Sequence, residues 1–284
     1  MRFAALGPIT IAGDAPGAPQ IRRLLAELLV ARNRPVPQAT LIDALWDGTP
    51  PPAAVSAFQS KVSRLRRLLS PDELRSTPAG YLLAVDDREF DVPVFEDLAV
   101  AGDAPAAVVE ACAAALALWR GAAFEIAAGD PLVEPEARRL ELLRQRTAER
   151  KLGALAALGR HDSVLAECLP LIAEDPFAEP AWEARITALA AIGRRIDALR
   201  AFEDYRRLLA DQTGLPPSAR LVALEREVLE DRVPAVAPSP SAAPRPPPAA
   251  WPSRRCGGTA PSSPSTTCRW LARARWRWPR RPPS

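Results

Sequence analysis

Residues 53–69, AAVSAFQSKVSRLRRLL, are the stretch that decides the fold. Apolar side chains recur there every three or four positions, which is the spacing of one stripe along an α-helix. The stripe consists of Val55, Phe58, Val62, Leu65 and Leu69. The same segment carries four cations and no acidic residue. It therefore predicts an amphipathic helix with one apolar face and one basic face.

The polar face of this helix has the composition of a helix that enters the DNA major groove. Arginine and lysine meet phosphates and guanine edges, while serine and glutamine hydrogen-bond to base edges or backbone. The residues expected on this face are Ser56, Gln59, Ser60, Lys61, Ser63, Arg64 and Arg67. Arg64 is the best candidate for a contact near the groove centre, and Lys61 and Arg67 suit phosphates. Arg66 lies farther round the helix, where a surface ion pair is an equal alternative; a solvated surface helix is the alternative for the whole face.

The neighbouring segments predict where this helix sits in a fold. Helical leucine spacing covers 20–31, and a second short helix is expected over 38–46. Residues 2–11 are rich in strand formers, and 74–85 predict a β-hairpin around Pro78-Ala79-Gly80. Helix, helix, turn, basic helix and hairpin together indicate a winged helix-turn-helix, with the basic helix as recognition helix and the hairpin as wing.

Residues 93–232 are helical in pattern and contain an internal repeat. The strings ALGRHDSVLAE and AIGRRIDALRA place Gly159 and Gly193 at an offset of 34 residues, which is the tetratricopeptide period. Helix pairs of this kind bury their apolar faces by stacking on one another. The overall prediction is a mainly α fold: a winged helix at 1–92, an all-α tetratricopeptide-like domain at 93–232, and a disordered tail at 233–284.

Charge is distributed unevenly over these three segments. Residues 1–92 have 11 basic and 10 acidic side chains, residues 93–232 have 17 and 24, and residues 233–284 have 9 and none. The middle segment would repel phosphates, so DNA affinity must come from the basic helix and the wing. The tail is rich in proline, arginine and tryptophan. It reads as an out-of-frame product of GC-rich DNA or, alternatively, as a basic peptide that binds DNA or membranes nonspecifically.

Several of these strings resemble one known family. RFAALGPITI, LIDALW, VSRLRRLL and TPAGYLLAV are similar to the N-terminal half of the Streptomyces antibiotic regulatory proteins, and RRLELLRQRTAERKLGALAALGRH is similar to their bacterial transcriptional activator domain. The resemblance covers about residues 1–232. It implies an activator of secondary-metabolite genes that binds direct-repeat sites on double-stranded DNA, contacts RNA polymerase and dimerises at least on DNA.

The resemblance also adds candidate contacts outside the basic helix. Thr77 and Tyr81 match wing positions near the DNA backbone or minor groove, with core packing of the Tyr81 ring as the alternative. Arg22 remains from a Gly-Pro-Lys-Gln-Arg segment that is otherwise altered here to Ala-Pro-Gln-Ile-Arg. That change leaves a runner-up function, a protein-interaction scaffold whose winged helix no longer binds DNA. Glu27 occupies a usually apolar position and is expected at the edge of its helix.

Other functions find little support in the residues. No apolar run has the length of a membrane span, and the N-terminus lacks the apolar core of a signal peptide, which predicts a cytoplasmic protein. Cys112 and Cys168 fall in helical patterns and are expected to be small buried side chains. His161 is expected in a solvent-facing loop. No catalytic residue, metal-ligand cluster or cofactor motif is predicted, and the chain is not expected to be an enzyme.

Overall fold

A computed structural model of the chain describes residues 1–125 and 130–232. Its first part has the winged-helix order, with two short antiparallel hairpins around three helices. The elements are β1 (Phe3–Ala4), β2 (Thr10–Ile11), α1 (Pro19–Ala31), α2 (Gln38–Leu45), α3 (Ala54–Arg66), β3 (Leu74–Thr77) and β4 (Gly80–Leu83). The basic helix is thus α3, and the wing is the β3–β4 hairpin.

The rest of the described chain is helical. After a 3₁₀ turn at Asp87–Glu89 come α4 (Asp91–Val100), α5 (Pro105–Leu116), α6 (Glu134–Ala157), α7 (His161–Glu174), α8 (Glu179–Ala191), α9 (Arg195–Thr213) and α10 (Ala219–Leu229). The predicted fold class, a winged helix followed by tetratricopeptide-like helices, is confirmed. The expected tail at 233–284 lies outside the described residues.

The α3 helix is fastened to the core by one apolar stripe. Phe58, Val62 and Leu65 are buried as predicted, and Leu69 is buried just beyond the helix end. The prediction for Val55 is wrong, because its side chain is 56% exposed and the buried position is Ala54. The stripe runs at offsets of four, four and three residues from Ala54, so its neighbour Val55 is rotated about 100° away from the core.

The wing is held by a third strand-like segment in front of α2. Val36 and Tyr81 exchange two backbone hydrogen bonds, of 2.8 and 2.9 Å between nitrogen and oxygen. Gly80 has φ +131°, and a Cβ there would lie 2.0 Å from the Val36 carbonyl oxygen. Only glycine fits a backbone approach this close. The Asn33 side chain also pairs with the Val85 backbone in both directions, so the hairpin is tied to the end of α1.

The internal repeat is visible in the backbone. Gly159 and Gly193 both have positive φ, +68° and +80°, directly after α6 and α8. The Arg160 amide donates to the Leu155 carbonyl at 3.0 Å, and the Arg194 amide donates to the Leu189 carbonyl at 2.8 Å. Each glycine therefore permits the same left-handed helix ending. The 34-residue offset in the sequence corresponds to two equivalent α–α hairpins.

One hydrophobic core joins the winged helix to the first helices behind it. A single cluster of buried side chains extends from Phe3 through Phe58 and Phe95 to Leu140. Backbone hydrogen bonds reinforce the junction, since the Arg120 amide donates to the Leu6 carbonyl at 2.8 Å and the Phe124 amide donates to the Ala5 carbonyl at 2.6 Å. Helix α3 therefore rests on a core that includes parts of α4, α5 and α6.

Two expectations about charged or titratable side chains are wrong. Glu27 is 2% exposed instead of lying at a helix edge. Its carboxyl lies near Asp130, with the Arg23 Nε at 3.8 Å, and burial is the main cause that raises the pKa of Glu27 to about 9. His161 is 7% exposed as the first residue of α7, and neither ring nitrogen has a hydrogen-bond partner among the described residues.

The structure also bears on the two helical cysteines and on membrane crossing. Cys112 and Cys168 are both buried free thiols, as predicted. Among the helices at 1–125 and 130–232, none has the length and apolarity that crossing a membrane requires.

Candidate nucleic-acid interface

The polar face of α3 is presented to solvent. Seven of its eight predicted contact residues are exposed, and Lys61 is half-buried; the exposed ones are Ser56, Gln59, Ser60, Ser63, Arg64, Arg66 and Arg67. Because the apolar stripe fixes the rotation of α3, the structure brings these side chains together on one surface. This surface, together with the exposed side of the wing, is called the α3 face below.

The cations of α3 are not neutralised by acids of the same molecule. Within the part of the chain that the structure describes, Lys61, Arg64, Arg66 and Arg67 form no ion pair. Three other arginines of the winged helix are paired with acids. Arg2 pairs with Glu73, Arg23 pairs with Asp47 and Asp130, and Arg32 pairs with Asp87 and Glu96. Four cations without an acidic partner among the described residues lie within residues 61–67, which gives this part of the surface a positive potential.

Two of these cations have uncharged partners that set their position. The Lys61 ammonium lies 5.2 Å from the centre of the Trp46 ring, a cation–π distance. The Arg66 Nη2 donates to the Ser76 Oγ at 2.7 Å, which links α3 to the wing. The ion pair considered for Arg66 is thus replaced by a neutral contact, and its positive charge stays available at the surface.

The serines of α3 differ in whether their hydroxyl already donates a hydrogen bond within the protein. The Ser56 hydroxyl donates to the Ala53 carbonyl at 3.0 Å, and the Ser60 hydroxyl donates to the Ser56 carbonyl at 3.1 Å. Both keep lone pairs that can accept a hydrogen bond. The Ser63 hydroxyl has no bond of this kind among the described residues, so it can donate or accept.

The two wing candidates, Thr77 and Tyr81, both make contacts inside the protein, and Thr77 also stays partly exposed. Tyr81 is 7% exposed, and its ring meets the Phe58 ring edge-on with 5.4 Å between centroids. The core-packing alternative therefore describes its ring, while its hydroxyl bonds with Gln59. The Thr77 hydroxyl donates to the Gly80 carbonyl at 3.0 Å and closes the hairpin turn. Part of the Thr77 side chain remains accessible at the tip of the wing.

Arg22 lies apart from α3 on the first turn of α1. Its side chain is exposed and forms no ion pair or side-chain hydrogen bond among the described residues. Helix α1 begins at Pro19 without a side-chain cap, and the Ile21 and Arg22 amides both donate to the Ala18 carbonyl, at 2.9 and 3.2 Å. The exposed Arg22 guanidinium is the group that can attract an anion at this end of the helix.

The sequence-based reasoning missed Arg75 and Gln38. Arg75 is exposed on β3, and its Nε donates to the Asp72 carbonyl at 2.9 Å. The alternation of Leu74, Arg75 and Ser76 in a predicted wing strand was a usable signal for an outward cation. Gln38 opens α2 and accepts a hydrogen bond from Gln59 at 3.3 Å. No local sequence signal pairs these two glutamines.

The described residues do not assemble a metal site, since no group of three or more His, Cys, Asp or Glu side chains among them is placed to hold an ion. What the α3 face can do chemically is donate and accept hydrogen bonds and attract anions. A basic helix seated between a helix-turn-helix core and a β-hairpin defines a winged-helix protein, here with helical repeats behind it.

Comparison with known proteins gives the family. Residues 90–229 match the family described as "Bacterial transcriptional activator domain". Regulatory protein DnrI of Streptomyces peucetius is 32% identical over 250 residues, which cover 81% of this chain and 92% of that protein. Transcriptional regulator RedD of Streptomyces coelicolor is 32% identical over 241 residues, covering 79% of this chain and 69% of that protein. The chain belongs to the Streptomyces antibiotic regulatory protein family of transcriptional regulators.

Longer relatives share the same region. Regulatory protein AfsR of Streptomyces coelicolor is 35% identical over 243 residues, and the chain spans only 24% of its length. The solved structure of Mycobacterium tuberculosis EmbR in complex with a low-affinity phosphopeptide superposes with a TM-score of 0.73 at 35% identity. That superposition covers 80% of this chain and 64% of the EmbR chain, so the winged helix and the helical domain occur together in a solved relative.

Proposed function

We propose that the protein is a sequence-specific DNA-binding transcriptional activator of secondary-metabolite biosynthesis genes. The observation that carries this proposal is the α3 face, whose four cations have no acidic partner among the described residues. A stripe of buried side chains holds α3 at a fixed rotation. A rigid, basic, hydrogen-bonding helix is the device by which winged helices read the major groove.

In this proposal, different residues of the α3 face contact different parts of the DNA. Arg64 has no competing partner among the described residues, and in this proposal it meets a guanine edge or a phosphate near the groove centre. Lys61 and Arg67 contact phosphates and contribute affinity that is independent of sequence. The wing adds Arg75 and Thr77 at the backbone or minor groove, and Arg22 on the first turn of α1 binds another phosphate.

The helical domain acts through proteins and not through DNA. Residues 93–232 have seven more acidic than basic side chains, and this charge disfavours contact with phosphates. We assign dimerisation and contact with RNA polymerase to this domain, in keeping with the family to which it belongs. Direct-repeat sites then require two winged helices placed head to tail.

Binding alone accounts for this role, so the proposal includes no catalytic step and no cofactor. His161, the single histidine of the chain, is buried and has no hydrogen-bond partner in the described part of the molecule. It therefore lacks the exposed, oriented geometry of a general acid or base. The site of action is the cytoplasm, where the promoter DNA lies.

Gel shifts on the promoters of the neighbouring gene cluster test the proposal. The full chain should bind a cluster promoter at least about tenfold more tightly than random DNA of equal length. Affinity should fall as salt rises, because log K decreases with log salt by about 0.9 for each phosphate that the protein neutralises. Equal affinity for promoter and random DNA at every salt concentration would instead favour a scaffold that uses only its helical domain.

A further inference from the structure

The carboxamide of Gln59 is held from two sides where α3 meets α2 and the wing. Its Nε2 donates to the Gln38 Oε1 at 3.3 Å and to the Tyr81 hydroxyl oxygen at 3.0 Å. Gln38 is the first residue of α2, and Tyr81 belongs to β4 of the wing. Three elements of the winged helix therefore meet at this one side chain.

Counting donors and acceptors shows what Gln59 can still offer to a ligand. A carboxamide nitrogen carries two hydrogens, and both are used by Gln38 and Tyr81. The carboxamide oxygen accepts two hydrogen bonds, and the Tyr81 hydroxyl at 3.3 Å satisfies at most one of them. Gln59 is exposed, so it presents an acceptor to the groove and no donor.

Tyr81 is a rigid reference for this arrangement. Its ring is buried against Phe58, and its backbone is paired in both directions with Val36. The hydroxyl therefore cannot move away without opening the wing. A glutamine bonded to a fixed hydroxyl keeps one amide orientation, as a positioned recognition group must.

A glutamine that can only accept hydrogen bonds prefers different bases in the major groove from a glutamine that can also donate. A free glutamine contacts adenine with two bonds, accepting from N6 and donating to N7. An acceptor-only glutamine needs only a donor, and the N6 amine of adenine and the N4 amine of cytosine both provide one. Guanine and thymine present acceptors at the corresponding edge and are disfavoured.

We propose that Tyr81 is a specificity-determining positioning residue that makes Gln59 an acceptor-only reader of adenine or cytosine. This inference rests on the proposed DNA-binding function. Tyr81 acts through Gln59 and does not itself touch a base. The partner it selects is double-stranded DNA with an amine-bearing base at the position that Gln59 meets.

Selection from a randomised operator library, followed by sequencing, tests this with the full chain. The wild type should show a position at which adenine and cytosine are bound within about threefold of each other and both about tenfold over guanine and thymine. Gln59→Ala should lose the preference at that position and keep the preferences elsewhere. This variant identifies the base pair that Gln59 reads.

Tyr81→Phe is the decisive variant, because it keeps the buried ring and removes the hydroxyl. One Nε2 hydrogen becomes free to reach adenine N7, so the adenine-to-cytosine ratio should rise about tenfold. Gln38→Ala removes the other acceptor and should shift the ratio in the same direction, which covers the case in which Tyr81→Phe does not fold. Ser76→Ala removes a different link between α3 and the wing, the hydrogen bond from Arg66, and should leave the adenine-to-cytosine ratio at its wild-type value.

Three results would overturn the inference while leaving the proposed function intact. They are an unchanged library profile for Gln59→Ala, an unchanged adenine-to-cytosine ratio for both Tyr81→Phe and Gln38→Ala, and a wild type that already rejects cytosine at the Gln59 position. A wild type with no base preference at any position has a different meaning, since it contradicts the proposed function itself.

Discussion

Asp91 ties the N-terminal strand to the helical domain, and its removal should cost much of the stability of the fold. The carboxylate opens α4 and is buried. Its Oδ1 accepts from the Ala5 amide at 2.8 Å, and its Oδ2 accepts from the Leu6 amide at 3.1 Å. Arg120 Nη2 donates to the same Oδ2 at 3.0 Å. Asp91→Ala removes all three of these hydrogen bonds at once.

The magnitude follows from what happens to each donor. Ala5 and Leu6 are fully buried, so neither amide can turn to water, and each unsatisfied donor costs about 1–3 kcal/mol. The Arg120 side chain is 39% exposed and can rehydrate, so its release adds little. The free energy of unfolding should therefore fall by about 2–6 kcal/mol, against a typical total of about 5–15 kcal/mol.

Urea unfolding followed by circular dichroism measures this decrease. Asp86→Ala is the matched control, because its carboxylate accepts one bond, from the Arg88 amide, at an exposed site; it should cost about 1 kcal/mol or less. Asp91→Asn should fall between the two, since its amide keeps one acceptor oxygen. If Asp91→Ala were no more destabilising than Asp86→Ala, the reasoning about the buried junction would be refuted.

Three further predictions address the wing, a buried carboxyl and a half-buried guanidinium. Gly80→Ala should lower the melting temperature through a destabilisation of about 2 kcal/mol or more, because its Cβ would meet the Val36 carbonyl; a melting temperature equal to the wild type's would contradict this. Glu27, with a pKa raised to about 9, stays protonated in the folded chain where the unfolded chain is ionised. Stability should therefore fall as pH rises from about 5 to 9, by up to about 1.4 kcal/mol per unit. Urea unfolding at pH 6 and 8 should show a smaller loss of stability between the two pH values for Glu27→Gln than for the wild type. An equal loss in both proteins would contradict this prediction. Arg150 donates to three carbonyls of residues 99–102. Arg150→Ala should cost about 2–4 kcal/mol in chemical unfolding, with poor rescue by lysine, which lacks the planar fork; full rescue by lysine would show that charge alone matters.

Periodic patterns predicted the parts of the fold that local spacing determines. Phe58, Val62 and Leu65 recur at helical spacing and are buried on α3. Gly159 and Gly193 mark equivalent helix ends because a left-handed residue there favours glycine in both repeats. The strand formers on both sides of the turn at Pro78-Ala79-Gly80 likewise predicted the wing hairpin. In each case a residue's own neighbours along the chain determine its conformation.

Groups that meet from distant parts of the chain were not predictable in this way. Glu27 is buried, and Asp130, more than a hundred residues away in the sequence, lies near its carboxyl. The helical period placed Val55 in the stripe, but a slightly different rotation of α3 buries Ala54. For the α3 face, composition predicted which residues are exposed. It gave no information on the bonds that Gln59 makes to Gln38 and Tyr81.

The central claim is that the α3 face reads DNA, and one comparison of two arginines tests it most directly. Arg64 lies on that face, while Arg88 is an exposed arginine of the 3₁₀ turn with no ion pair in the described part of the chain. Fluorescence anisotropy should show that Arg64→Ala weakens binding to a cluster promoter by about 1–3 kcal/mol and reduces discrimination against random DNA. Arg88→Ala removes the same charge and should leave both nearly unchanged. Equal weakening by the two substitutions, with discrimination intact, would contradict the account.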